Sequence, residues 1–69
     1  MYIKMLGQIV YLVNGNGQIT GSYAVHQHGM VRMLGWIENP DGTKHNVNME
    51  FIDEDAALLY LKSKGVRIE

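Results

Sequence analysis

The second half of the chain constrains the fold most, because signals for two strands, a tight turn and a capped helix follow one another there almost without spacing. Residues 30–38 are mostly apolar, and residues 43–51 alternate between apolar and polar types, which is the period of a half-buried strand. Between them, Pro40 and Gly42 take the second and fourth positions of a type I turn. The pattern predicts a β-hairpin.

The loop length of this hairpin decides which side chains share a face. A four-residue loop pairs Glu38 with Thr43 and Trp36 with His45. This register predicts one apolar face, directed at a helix, that consists of Met30, Leu34, Trp36, Val47, Met49 and Phe51. We therefore expect Trp36 to face the helix.

A helix is predicted directly after the hairpin. Asp53 is a good N-cap residue, and Ala57 and Leu61 belong to an apolar stripe at helical spacing. Gly65 supplies the left-handed residue that often follows a helix, and residues 66–68 are long enough for one short edge strand. The apolar stripe is expected to pack on the sheet.

The first half of the chain predicts two longer strands joined by a turn. Residues 2–13 are rich in β-branched and aromatic types, and residues 18–28 alternate cleanly. A three-residue loop pairs Asn14 with Gln18 and buries the larger apolar set. The whole chain, residues 1–69, is therefore expected to form one α+β domain. Its antiparallel four- to five-stranded sheet has the order β-β-β-β-α-β, with one helix packed on one face.

The composition limits the classes of function. The chain has 69 residues and no cysteine, which excludes disulfides and thiol catalysis and fits a cytoplasmic location. It shows no signal peptide and no apolar run long enough to span a bilayer. The net charge of −1 lacks the basic surplus that is typical of a nucleic-acid binder. We expect no cofactor, no direct contact with nucleic acid and no membrane contact.

The acidic residues are concentrated in one part of the chain. Glu38, Asp41 and the acidic residues from Glu50 to Asp55 share residues 38–55 with a single lysine. Carboxylates near the start of a helix are favoured by the helix dipole, so fold stabilisation explains part of this block. The alternative is an acidic face that mimics nucleic acid and binds a basic partner.

His26 and His28 are the candidate metal ligands. Alternate residues of a strand point the same way, so both imidazoles can reach one ion. Two ligands are too few for a protein zinc site, and His45 belongs to the other hairpin. A metal-binding protein or small enzyme that uses His26 and His28 is therefore an alternative to a protein without catalytic activity.

Part of the second half resembles a known family. The residues that carry the likeness are Gly35-Trp36, Asp41, Val47 to Phe51, Asp55-Ala56-Ala57, Tyr60 and Gly65 to Ile68. They look like the C-terminal part of the 18-kDa accessory-subunit family of respiratory complex I, which shows a Gly-Trp, a polar turn, an apolar strand, an acidic helix start and a final strand. The resemblance implies the strand–turn–strand–helix–strand order and a non-catalytic, accessory role.

An excess of apolar surface is the main functional signal. One helix cannot cover both faces of such a sheet, and the predicted register leaves Leu6, Val10 and Leu12 on the uncovered face. We expect these side chains, with Glu38 and Asp41 at the acidic edge, to contact a larger protein. The predicted function is a small non-catalytic binding module, either accessory or inhibitory in the manner of phage-encoded inhibitors, that acts alone or as a homodimer.

Overall fold

The computed structural model describes residues 1–25, 29–39 and 41–68, which form one antiparallel sheet and one helix. The elements are β1 (Tyr2–Leu6), β2 (Ile9–Val13), β3 (Ile19–Val25), β4 (Val31–Glu38), β5 (Lys44–Phe51) and α1 (Glu54–Ser63). Each strand pairs with the next one along the chain, so the sheet order is β1-β2-β3-β4-β5. The predicted α+β fold is confirmed. Its order differs in detail, because all five strands precede the helix.

The additional strand comes from a turn inside the N-terminal segment predicted as one strand. Gly7 and Gln8 form a two-residue turn, since Leu6 pairs with Ile9 across it. Gly7 has φ 65, the left-handed conformation that a type II′ turn places at its first central residue and that glycine adopts without strain. The single-strand prediction is wrong, and the reversal of the chain places Leu6 and Val10 on opposite faces.

The hairpin between β2 and β3 has the predicted turn but a different register beyond it. The Asn14 N–H donates to the Gln18 carbonyl at 3.0 Å, which confirms the three-residue loop. A β-bulge then shifts the register between Leu12 and Val13. As a result Leu12 lies opposite Gly21, and the side of β2 predicted to stay uncovered turns towards the helix.

The hairpin between β4 and β5 pairs one residue further along than predicted. The Asn39 N–H donates to the Thr43 carbonyl at 2.7 Å, and Glu38 pairs with Lys44. Gly42 has φ 88, the left-handed residue that closes a three-residue loop with a bulge. The predicted pairing of Glu38 with Thr43 is therefore wrong.

This shift exchanges the two faces of β4. Trp36 pairs with Asn46 instead of His45, so it lies with Leu34 on the face away from the helix. The fully buried residues of β4 are Val31, Met33 and Ile37. A slip of one residue moves every side chain of a strand to the other face, which explains the wrong assignment. The Pro40 position of the predicted turn lies outside the described residues.

The core lies between the sheet and α1. The helix begins after Asp53, whose carboxylate accepts the Ala56 N–H at 2.8 Å as an N-cap. The buried residues that form the core are Val10, Leu12, Tyr23, Val31, Met33, Ile37, Val47, Ala57, Leu61 and Val66. Among the described residues, no helix has the length and hydropathy needed to cross a membrane.

The segment after the helix joins the edge of β1. The predicted final strand, residues 66–68, forms only an isolated parallel bridge between Tyr2 and Arg67. The Ile3 N–H donates to the Arg67 carbonyl at 3.2 Å, and the Arg67 N–H donates to the Met1 carbonyl at 2.9 Å. These bonds partly cover the β1 edge of the sheet.

Strands β3 and β4 approach each other closely at one pair of glycines. Gly21 and Gly35 are paired, and a Cβ atom added to either would overlap the backbone of the other strand. Gly35 also has φ 136, a conformation that residues with side chains rarely adopt. This close contact therefore requires glycine on both strands.

Candidate functional site

The face of the sheet opposite α1, called the outer face below, is covered by none of the described elements. Alternate residues of each strand point to it, and the pairing register arranges them in rows across the sheet. One row is Lys4, Tyr11, Ser22, Leu34 and Asn48, and the next is Leu6, Ile9, Ala24, Arg32 and Glu50. The outer face is thus a mixed apolar and polar surface that extends over all five strands.

The outer face is depressed along its central strand, β3. Its outward side chains Ser22 and Ala24 are small, whereas Ile9 and Tyr11 on β2 and Leu34 on β4 are large. The neighbouring strands therefore rise above β3 and form a shallow trough, whose walls are Ile9, Tyr11 and Leu34 together with Arg32 opposite Ala24.

Three aliphatic residues of the outer face are substantially exposed. Leu6 is 54% exposed, Leu34 48% and Ile9 40%. Single exposed aliphatic residues are ordinary on protein surfaces, but these three share one face of one sheet. The helix side of the sheet also has exposed apolar side chains, at Met5, Val25 and Met49, where α1 does not reach.

Trp36 is half-buried at one end of the outer face, and its backbone and its side chain each have one contact. The Thr20 Oγ1 donates to the Trp36 carbonyl at 2.8 Å. The Lys44 Nζ lies 4.6 Å from the centroid of the indole ring, a cation–π contact. An aromatic side chain has only two rotatable bonds, so burial of Trp36 costs little conformational entropy.

The structure separates the apolar residues predicted to bind a partner. Val10 and Leu12 are 2% and 0% exposed, so the prediction that they lie on an uncovered face is wrong. The cause is the β-bulge between Leu12 and Val13, which shifts the register of β2 on β3 and directs both side chains at the helix. Leu6 is exposed, as predicted, but on the outer face; its contact with a partner stays a prediction.

Glu38 and Asp41 lie at the hairpin between β4 and β5. Glu38 is exposed on the outer face opposite Lys44. The Asp41 Oδ1 accepts the Thr43 Oγ1–H at 2.6 Å and the Thr43 N–H at 2.9 Å. These hydrogen bonds hold the pKa of the Asp41 carboxyl below its usual value. Asp41 therefore stabilises the turn, and a partner contact by either residue stays a prediction.

Other residues of the acidic block also have contacts within the chain. Glu50 forms an ion pair with Arg32 at 3.5 Å, and Asp53 caps the helix. Glu54 accepts the Tyr23 hydroxyl at 2.8 Å. Burial of Tyr23 raises the pKa of its hydroxyl, and this hydrogen bond to Glu54 raises it further. Much of the acidic block thus stabilises the fold, while mimicry of nucleic acid stays an alternative prediction.

The part of the chain that the structure describes contains no group of three or more His, Asp or Glu side chains placed to hold a metal ion. Of the three histidines, His45 lies within the described residues, and its Nε2 is 3.1 Å from the Tyr60 hydroxyl oxygen. His26 and His28 lie outside the described residues. The alternative metal site at those two histidines therefore stays a prediction.

Two open depressions lie away from the centre of the outer face. One, of about 280 Å³, has Met5, Val10 and Glu54 among its lining residues. The other, of about 330 Å³, is lined in part by Glu38 and Lys64. General acid–base catalysis needs paired groups that converge on a substrate, and neither lining provides a nucleophile beside a base. The outer face is therefore the stronger candidate site.

No family model matches the chain, and neither a curated protein nor a solved structure matches it. The resemblance of residues 35–68 to the complex I accessory-subunit family stays a prediction.

Sequence reasoning missed Ile9, Leu34 and Trp36 as members of the outer face. The Gly7-Gln8 dipeptide between two apolar runs is a signal for a two-residue hairpin, and it assigns Ile9 correctly. For Leu34 and Trp36, the signal is Gly42, because glycine at the last loop position favours a three-residue loop with a bulge.

Proposed function

We propose that this chain is a small non-catalytic binding module whose outer face docks on a larger protein. The observation that carries the proposal is the grouping of exposed Leu6, Ile9 and Leu34 beside half-buried Tyr11 and Trp36 on a face without a covering element among the described residues. The partner contributes an apolar ridge that fits the trough along β3.

The energetics of the outer face support this proposal. Burial of apolar surface contributes roughly 25 cal/mol per Å² removed from water. Aromatic side chains such as Trp36 and Tyr11 are among the types that dominate binding energy in protein interfaces. The sheet holds these side chains on paired strands, so docking orders little of the backbone and retains more of the gain from burial.

The charges around the outer face define the polar part of the contact. Lys4, Arg32 and Lys44 are exposed cations on this face, and Glu38 and Glu50 are exposed carboxylates. An apolar centre with a polar rim is the usual composition of a protein interface. The partner is therefore a protein with an apolar centre and mixed charges around it, and the salt dependence of binding is small.

The test is affinity capture from native cell extract with wild type, Leu34→Lys and Leu59→Lys. Leu59 is 69% exposed on α1, so it offers a matched leucine away from the outer face. We expect one protein to be captured by wild type and by Leu59→Lys but lost with Leu34→Lys. Capture of the same protein by all three chains, or by none of them, would contradict docking through the outer face.

Binding of the captured partner is then measured by calorimetry with the same three chains. We expect Leu34→Lys to weaken the affinity at least about tenfold, which corresponds to about 1.4 kcal/mol, and Leu59→Lys to leave it unchanged. Equal affinities for the two variants would place the contact elsewhere on the chain.

The accessory and inhibitory forms of this proposal differ in what happens to the partner. An accessory module raises the melting temperature of its partner by mass action and leaves the partner's activity intact. An inhibitor lowers that activity in proportion to occupancy. The resemblance of residues 35–68 to an accessory family favours the first form, and an assay of the partner with and without saturating chain separates the two.

A further inference from the structure

The two edges of the sheet differ in how far they are covered. The β1 edge is bridged by the segment after α1, through Tyr2 and Arg67. Strand β5 has β4 on one side and no described strand on the other, and its register with β4 runs from Lys44 to Phe51 without a bulge. Strand edges of this kind are templates for pairing with another chain, and proteins usually interrupt them with bulges or prolines.

The hydrogen-bonding pattern of β5 shows which of its residues face the open edge. The bond from the Asn39 N–H to the Thr43 carbonyl fixes the start of the β4–β5 ladder. Residues of an antiparallel pair alternate between bonding to the partner strand and pointing away from it. Counting from Thr43, the even-numbered residues Lys44, Asn46, Asn48 and Glu50 direct their N–H and C=O groups outwards.

These outward groups restrict how a second copy of β5 can pair. In an antiparallel arrangement, even-numbered residues of one copy must lie opposite even-numbered residues of the other. A two-fold axis at Val47 satisfies this condition and places Lys44 opposite Glu50 of the second copy, twice by symmetry. It also places Asn46 opposite Asn48. An axis at Asn46 or at Asn48 also allows the backbone hydrogen bonds. However, the first places Lys44 opposite Asn48 and the second places it opposite Ile52, so Lys44 has no oppositely charged partner in either.

We propose that the open edge of β5 binds the β5 edge of a second copy of this chain, antiparallel about a two-fold axis at Val47, to form one continuous sheet. The occupant is a second copy because the strand is complementary to itself in both backbone and charge. Opposite charges directly across a strand pair stabilise it, and like charges destabilise it. The arrangement is a closed, isologous contact, the commonest type in homodimers.

Contacts within each chain place Lys44 and Glu50 on the same face of the sheet, each next to a side chain of β4. Glu50 already lies 3.5 Å from Arg32, and Arg32 Nη2 donates to the Asn48 Oδ1 at 3.0 Å, so the carboxylate is held on the outer face. Lys44 is held over the Trp36 ring on the same face. The lysine of one copy and the carboxylate of the other therefore lie on the same side of the joined sheet, and each turns from its β4 neighbour towards the edge when the two copies pair.

The first experiment measures the mass of wild type, Lys44→Glu and Glu50→Lys in solution over a wide range of concentrations. Wild type is expected to approach twice the 7.8 kDa of one chain. Each single variant sets like charges opposite each other and is expected to weaken the dimer about tenfold. An equimolar mixture of the two variants restores opposite charges across the edge and should recover the wild-type affinity.

The mixture is its own control, because any effect of either substitution on the monomer is present both in the mixture and in the separate samples. Recovery in the mixture supports pairing through Lys44 and Glu50. A monomer at every concentration, or a mixture no tighter than the single variants, overturns the proposal.

A second experiment tests the register, since the chain has no native cysteine. Asn46→Cys and Asn48→Cys are mixed under oxidising conditions, because hydrogen-bonded residue pairs have a Cα separation of about 5.5 Å that a disulfide can bridge. We expect the mixed product to exceed either self-linked product. Preferential self-linking of Asn46→Cys or of Asn48→Cys would move the axis to that residue and overturn the register.

The outer-face variant Leu34→Lys separates this inference from the proposed function. The β5 edge does not include Leu34, so this variant is expected to dimerise as wild type does even when it no longer binds the larger protein. A dimer that is lost in Leu34→Lys but kept in Lys44→Glu would place self-association on the outer face and overturn pairing through the edge.

Discussion

The helix side and the outer face belong to the same five strands, yet α1 buries apolar side chains on the helix side only. Leu12, Met33 and Ile37 are fully buried on the helix side, whereas Leu6 and Leu34 are about half exposed on the outer face. Hydrophobicity alone does not separate these residues. Their position on alternate sides of a strand does, because α1 covers one side only. Burial in this chain therefore depends on the register of each strand.

Gly35→Ala has the largest expected effect on stability, because Gly35 lies where β3 and β4 approach each other closely. A Cβ atom at Gly35 overlaps the backbone of Gly21, and φ 136 is strained for alanine. We expect a loss of more than about 4 kcal/mol, enough to unfold a small domain. Circular dichroism during thermal unfolding measures it. Gly15→Ala is the control, since nothing lies near the added methyl group; equal effects would contradict the close contact.

Leu61→Ala tests the burial of the helix on the sheet. Leu61 is fully buried, and removing its side chain should lower the free energy of unfolding by about 2–5 kcal/mol through lost burial and an empty cavity. Leu59→Ala on the exposed side of the same helix should change it by less than about 0.5 kcal/mol. Urea unfolding of both variants gives the two values, and similar losses would mean that α1 does not pack as described.

Tyr23→Phe tests the polar contact between the sheet and the start of the helix. The loss of the hydrogen bond to Glu54 should cost about 1–2 kcal/mol at neutral pH. Because the pKa of Tyr23 is raised in the folded chain, wild type keeps this stabilisation below the ordinary phenol pKa of about 10 and loses it as the pH rises further.

Unfolding experiments across alkaline pH compare wild type and Tyr23→Phe. The variant should show a smaller loss of stability above pH of about 10 than wild type does. Parallel curves for wild type and Tyr23→Phe would refute the assigned contact.

Leu34→Lys has the smallest expected effect on folding and gives the sharpest comparison of the two faces. Leu34 and Met33 are adjacent on β4 but point to opposite sides. A lysine at the outer-face position should change the free energy of unfolding by less than about 0.5 kcal/mol, whereas Met33→Lys places an unpaired charge in the core and should prevent folding. If both variants unfold, the assignment of Leu34 to an open surface is wrong.

The sequence predicted the elements well and their faces poorly, for a physical reason. The Asn14 turn, the Asp53 cap and the α1 stripe depend on local chemistry, which neighbouring residues determine. The faces depend on a side-chain period of two, so one unrecognised turn at Gly7 or one bulge beside Val13 reverses the assignment of a whole strand. The excess of apolar surface was predictable, but of Leu6, Ile9 and Leu34, which form it on the outer face, only Leu6 was predicted.

The bridge between Tyr2 and Arg67 closes the described chain into a ring. A chain with joined ends tolerates relocation of its termini, so linking the ends and opening the exposed loop at Gly15 should give a permuted protein with the same sheet. Because contacts between residues far apart in sequence cost the most entropy to form, opening between these ends should precede global unfolding. Tyr2 and Arg67 both lie at the β1 side of the sheet, on the opposite edge from β5.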